Sequence, residues 1–380
     1  MIYLDNSATT KPWPEVMETF IKASGDYFGN PSSMHQLGKD AGILLSKARD
    51  SAASMLGVEA EEVIFTSGGS ESNALAVQGT MKALASRGKH AVTTVMEHPS
   101  VLKQFQDQEK QGAEVTYLQP GSDGRITASQ VIQALRKDTV LVSIIRVQNE
   151  IGTVQPIEEI GRELAAFPKI YFHTDDVQGA GKLPIDLTYV DLYSLSSHKF
   201  HGVRGAGILV KKKGKNPAPL IMGGAQENGM RAGTENVPAA AAMVKALRLS
   251  REAYQASNGR LRELHNKMTN HYQGMTGVEI NTPASGSVPY ILNISVKHSK
   301  PEAIVEELSG RGIYISSKSA CSSKEKNTDS VLGACGYTKE RAETALRISL
   351  SAETTEQDID ELLRACSSIF PAVQLVVGGK

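Results

Sequence analysis

EEVIFTSGGSESNALAVQGTMKALA, residues 61–85, sets an apolar run, a Ser-Gly-Gly turn and an amphipathic stretch in succession, and the same alternation recurs as far as Val210. HAVTTVM (90–96) precedes VLKQFQDQEKQ (101–111), TVLVSIIRV (139–147) precedes IEEIGRELAAF (157–167), and KIYFHTD (169–175) and VDLYSLS (190–196) follow. Short apolar runs alternating with helix-length amphipathic stretches predict repeated βαβ units. The class is therefore α/β, with a mostly parallel central sheet and helices on both faces. In such sheets ligands bind beyond the carboxyl ends of the strands, so the residues just after each run are the first place to look for chemistry.

Outward from this block the pattern changes. After Gly207 a loop, PLIMGGAQENGMRAGTENV (219–237), leads into an Ala-rich helix predicted near Pro238 to Tyr254. Beyond it, long helical stretches surround isolated strands, YILNISV (290–296), GIYIS (312–316) and LRISL (346–350), as in a smaller α+β domain. Residues 15–255 are expected to form the large domain, and 1–14 with 256–380 the small one. The last helix should begin at TTEQDIDELL (354–363), where Thr354 and Gln357 have capping-box spacing.

A chain of 380 residues with 40% hydrophobic content can bury a substantial core. Forty-one basic residues balance forty-one acidic ones, so no global field favours nucleic acid or a membrane surface. MIYLDNSATT lacks the basic and apolar regions of a secretory signal, and nowhere do about 18 apolar residues run together, so a cytoplasmic location is expected. Three cysteines, Cys321, Cys335 and Cys366, are an odd number without metal-site spacing, which argues against a disulfide framework or a zinc site.

Several strand ends carry reactive residues. In FTSGGSES (65–72) the free N–H groups of a helix start make an anion site, with Ser67 or Ser70 adding hydroxyls; a tight turn with a Ser N-cap is the plainer alternative. Asp175, after KIYF, is placed to hold a cationic ring nitrogen or to act as an ordinary loop acid or helix cap, the latter being the expectation for Asp176. Lys199, in SLSSHKFHG (194–202), is a candidate for a Schiff base with a cofactor aldehyde, although a lone lysine is more often a solvated charge. His98, in MEHPSV (96–101), has two readings: a ring lying over a planar cofactor, or a helix cap before Pro99. Cys321 lies among polar neighbours in SSKSACSSKEKNTDSVLG, as either a nucleophile on an exposed loop or a plain surface cysteine. Cys335 and Cys366 sit in apolar contexts and are expected to be small core residues.

DNSATT (5–10), GNPSSMH (29–35), FTSGGSESN (65–73), MEHPSV, VQNEIGTVQPI (147–157), HTDDVQ (173–178), SSHKFHG (196–202), RAGTEN (231–236) and SKSACSS (317–323), in this order, resemble the cysteine desulfurases of the iron–sulfur-cluster and nitrogen-fixation type. These are aminotransferase-like pyridoxal-phosphate enzymes, and the resemblance covers essentially the whole chain. It implies that Lys199 holds pyridoxal 5'-phosphate covalently, that Asp175 pairs with the pyridine nitrogen and that His98 stacks on the ring and assists proton transfer. It further implies that Asn149 and Gln178 bond the ring's phenolic oxygen, and that Gly69, Ser70, Ser196 and His198 hold the phosphate. Thr234 would reach the phosphate of a neighbouring subunit, making a homodimer. Arg347, helped by Asn30, would clamp the carboxylate of L-cysteine, a task suited to a planar guanidinium.

The activity so implied is conversion of L-cysteine to L-alanine, with Cys321 receiving the sulfur as a persulfide and handing it to an acceptor, a cluster scaffold or a tRNA-thiolating enzyme. A selenocysteine lyase, a kynureninase-like hydrolase or a small-amino-acid aminotransferase shares the fold but explains SACSS less well. A non-catalytic sulfur-transfer partner is opposed by the joint presence of Lys199, Asp175 and Cys321. Three departures from the family pattern stand out: Lys318 in place of a usual glycine, Asp176 in place of a usual small residue, and LRISLSAETT without the usual glycine and basic residue after its SL.

Overall fold

The computed structural model describes residues 1–317 and 330–378. Strand β1 (Ile2–Tyr3) stands apart from the central sheet, which is built from β2 (Val63–Thr66), β3 (His90–Thr94), β4 (Glu114–Leu118), β5 (Thr139–Ser143), β6 (Tyr171–Asp175), β7 (Leu192–Ser196) and β8 (Gly207–Lys211). Their order is β2-β8-β7-β6-β5-β3-β4. Strands β3 to β7 pair in parallel, while β8 runs antiparallel to both of its neighbours, β2 and β7. The α/β class and the mostly parallel sheet are as the alternation predicts.

Every residue of β2, β3, β5, β6 and β7 is buried, as a sheet covered on both faces requires. Alternation sorts the side chains. Ile64 turns toward Leu75, Val77 and Phe105 of the helices Gly69–Ala83 and Pro99–Lys110, whereas Val63 and Phe65 turn to the opposite face, where Ile157, Ile160 and Leu247 lie.

A second core surrounds β10 (Ile291–Val296), the middle strand of an antiparallel sheet between β9 (Val278–Ile280) and β12 (Ala345–Ser349). The N-terminal segment joins it. β1 pairs in parallel with β11 (Ile313–Tyr314), Asp5 bridges to Ser349, and Ile2 and Leu4 are buried in the same cluster. The helix expected near Pro238–Tyr254 is much longer, Val237–Gln273. Asn236 caps it, accepting from the Ala239 amide at 3.1 Å. Its Ala-rich first turns enter the first core, and Tyr254, Leu261, Leu264, Met268 and Tyr272, spaced by seven, three, four and four, enter the second. That continuing stripe is why nothing stops the helix at Tyr254.

The last helix, Glu356–Gly378, is capped one residue later than its sequence suggests. Thr355 and Asp358 form the reciprocal pair, with amide-to-side-chain bonds of 2.8 and 3.2 Å, while the Thr354 hydroxyl accepts from the Ser351 amide. Among the described residues no helix is long and apolar enough to cross a membrane.

Candidate active site

The carboxyl ends of β6 and β7 and the start of helix Gly69–Ala83 meet at a cleft enclosing roughly 800 Å³, mouth included, whose lining includes Gly69, Ser70, His98, Asn149, Asp175, Gln178, Ser196, His198, Lys199 and Arg347. Residues distant in sequence meet because parallel strands deliver their carboxyl ends to one edge.

The helix start is a bare anion site. Gly68 occupies the N-cap with φ +151°, a conformation that favours glycine, and no side chain caps it, so the Ser N-cap alternative does not hold. A Cβ on Gly69 would lie 2.6 Å from Val177 Cγ2, so only glycine keeps this edge of the cleft open. Among the described residues neither the Gly69 nor the Ser70 amide has an acceptor. Glu71 turns away, taking the Ser67 amide at 2.7 Å and Arg231 Nε at 2.9 Å.

At the cleft floor Asp175 is buried at the end of β6, accepting from the Val177 amide (2.9 Å) and Asn73 Nδ2 (2.7 Å). Burial pushes its carboxyl up to about 6 against those two hydrogen bonds. Its charged form is thus only partly compensated, and a cationic N–H is the partner that this position lacks. His98 satisfies its cap reading, because it starts helix Pro99–Lys110 with Nδ1 accepting from the Ser100 amide at 3.1 Å, and the same ring lines the cleft. Burial, then Lys199, hold His98 down at about 4, and burial with Lys199 does the same to His198. Both are neutral near pH 7 and carry one ring N–H each.

Lys199 Nζ donates to the carbonyls of Ser7 (2.5 Å) and Ala8 (2.9 Å), and Gln178 Nε2 donates to Ser7 at 2.8 Å. Arg347, 1% exposed, donates to the Asn149 carbonyl at 3.0 Å and to Asp5 at 2.8 Å. The set fits pyridoxal phosphate: uncapped amides and neutral imidazole donors for an anion, a buried carboxylate for a pyridinium, and an amine between them.

Two predicted residues lie elsewhere in the chain. Asn30 is exposed, its Oδ1 accepting from the Ser32 amide at 2.9 Å, outside the cleft lining. Thr234 is exposed in a separate cavity with Ser67, Gly205 and Arg231. Cys321 and Lys318 lie outside the described residues. Cys335 and Cys366 are core residues as expected, their thiols pushed by burial up to about 11 and 12. Asp176 lies in the connection after β6, as the loop reading has it, but it is no solvated acid. It is fully buried, paired with Arg146 at 2.9 Å and accepting from Tyr193 at 3.0 Å. The apolar context of Arg146 hides this partner in the sequence.

Sequence reasoning also passed over Asn73, Ser100 and the Ser7 and Ala8 carbonyls. Asn73 was within reach, since it stands four residues after Gly69 and hence on the same helix face. Backbone carbonyls leave no such trace.

The aminotransferase class-V family model matches residues 2–362. A protein described as "NifS/IcsS protein homolog", from Lactobacillus delbrueckii subsp. bulgaricus, is 43% identical over 374 residues, 97% of either chain. "Cysteine desulfurase IscS" of Methanosarcina thermophila is 40% identical over 97% of this chain and 91% of its own. Among solved structures, one titled "NIFS-LIKE PROTEIN" superposes with a TM-score of 0.92 at 33% identity, covering 98% of this chain and 99% of its own.

Proposed function

The chain belongs to the class-V aminotransferases, among their NifS/IscS-like cysteine desulfurases, and on that premise we propose that it is a pyridoxal-phosphate enzyme converting L-cysteine to L-alanine while transferring sulfur to Cys321. The observation that carries this reading is the convergence of Lys199, Asp175, His98 and Arg347 on one cleft beside the uncapped helix start.

When bound, pyridoxal phosphate supplies an aldehyde for amine condensation and an electron-withdrawing ring. Asp175 would hold the proton on the ring nitrogen, and Asn149 and Gln178 would fix the phenolic side. Gly69, Ser70, Ser196 and His198 would take the phosphate, whose charge suits a helix N-terminus. Arg347 would grip the substrate carboxylate. Lys199 Nζ would take the α-proton of the substrate, with the neutral His98 ring assisting. Cys321 Sγ then attacks the substrate sulfur. The Sγ–S bond forms as Cβ–S breaks with its electron pair left on carbon, and a protonated Cβ gives alanine. The persulfide passes to a sulfur-acceptor protein, a cluster scaffold or a tRNA-thiolating enzyme, in the cytoplasm.

Purified holoenzyme given L-cysteine and a thiol reductant is expected to release L-alanine and sulfide in equal amounts. Inert L-cysteine alongside rapid transamination of another amino acid would overturn the reading.

The reading includes a homodimer with shared sites. Thr234 and Asn30 stand outside their own chain's cleft, as residues serving a neighbouring subunit's site would. Light scattering should give twice the 40.8 kDa of the chain. An active species at the mass of one chain would contradict shared sites.

A further inference from the structure

Arg347 is the largest fully buried side chain among the described residues, and Asp5 is the carboxylate that pairs with it. Arg347 Nη2 donates to Asp5 Oδ1 at 2.8 Å and Nη1 to the Asn149 carbonyl at 3.0 Å, while Nε has no partner among the described residues. The second Asp5 oxygen accepts from Ser316 Oγ at 3.3 Å. Backbone pairing holds all three in register: Ser316 exchanges hydrogen bonds with Arg347 at 3.1 and 2.7 Å, and Asp5 bridges to Ser349 two residues along β12. Asp5 is therefore anchored from both sides and has little freedom to leave the guanidinium. Arg347 lines the cleft, and Asp5 does not.

A guanidinium out of water needs a counter-charge, and here the protein provides one before any substrate arrives. A substrate carboxylate reaching the same guanidinium meets a second anion already bound there, in a site where water screens poorly. Resting on the proposed amino-acid substrate, we propose that Asp5 is the built-in counter-ion of the carboxylate clamp, a positioning residue that contests Arg347 with the carboxylate of substrate and product. It keeps the guanidinium plane fixed, and by its charge it weakens the hold on L-alanine, so that product leaves.

The substitution Asp5→Asn separates these two effects, because the amide oxygen still accepts from Nη2 while the charge is gone. Binding to holoenzyme is measured by calorimetry with L-alanine and with L-alaninamide, which carries the same amine and no carboxylate. L-Alanine should bind about tenfold more tightly to Asp5→Asn than to wild type, and L-alaninamide unchanged. Asp5→Ser, neutral and smaller, should shift L-alanine in the same direction. In wild type, L-alanine should outbind L-alaninamide by no more than about a hundredfold, the clamp being already contested. Weaker L-alanine binding in Asp5→Asn, equal shifts for both ligands, or a wild-type preference above that limit would each overturn the proposal. Failure of the desulfurase reading is separate: it shows as no alanine from L-cysteine in wild type, whatever Asp5 does to L-alanine binding.

Discussion

Replacing Lys199 with alanine should abolish borohydride-dependent fixation of pyridoxal phosphate and lower turnover of L-cysteine by about 10³-fold or more, the scale for a lost general base with further loss from slower cofactor exchange. The fold should survive. Lys199 stands at the cleft wall, where its Nζ donates to the Ser7 and Ala8 carbonyls and water can replace it there. Cofactor should remain bound without a covalent link, since the helix start and Asp175 are untouched. The measurement is peptide mapping after borohydride reduction, with thermal unfolding as the control. Wild-type protein with its adduct on Lys182 instead would reassign the site. That rival is a real one, because Lys182 is buried near the Tyr290 ring, and burial, then Lys199, lower it to about 7.

The parts of the site legible in the sequence are those carried by strand ends. Asp175, Ser196 and Lys199 follow apolar runs whose period and length are plain, and a parallel sheet sends such ends to one edge. Gly69 and Ser70 were legible through the double glycine, although the sequence left a capped turn open and only the bare N-cap excludes it. What stayed hidden depends on long-range pairing. Arg146 reads as an interruption of TVLVSIIRV, and nothing local says that its partner is Asp176, thirty residues on. Asp5 reads as part of a motif, and its contact with Arg347, 342 residues away, exists only because the N-terminal segment joins the second core. The continuity of the helix past Tyr254 was missed for another reason. Asn258 and Gly259 weaken its local propensity, and the buried stripe through Leu261 and Tyr272 overrides them.

Cys321→Ser should still bind L-cysteine and shift the cofactor spectrum, yet form alanine at least about 10³-fold more slowly, as expected when a nucleophile is removed and the remaining machinery is kept. The reasoning runs through the other two thiols. Cys335 is buried with its thiol pushed up to about 11, and Cys366 is buried against Tyr272, whose hydroxyl donates to its sulfur at 3.5 Å, with its thiol at about 12. Near neutral pH neither holds appreciable thiolate, and thiolate is the form that attacks sulfur. Serine in place of Cys321 keeps the size but offers almost no anion, so substrate binding and proton removal proceed while the sulfur finds no acceptor. Cys335→Ala and Cys366→Ala should retain persulfide formation and lose only stability, about 1–2 kcal/mol each for a buried residue of this size. Labelled L-cysteine followed by peptide mapping under non-reducing conditions reads all three variants at once. Sulfur found on Cys335 or Cys366, or alanine made by Cys321→Ser at the wild-type rate, would refute sulfur transfer through Cys321 and leave the assignment of Lys199 standing.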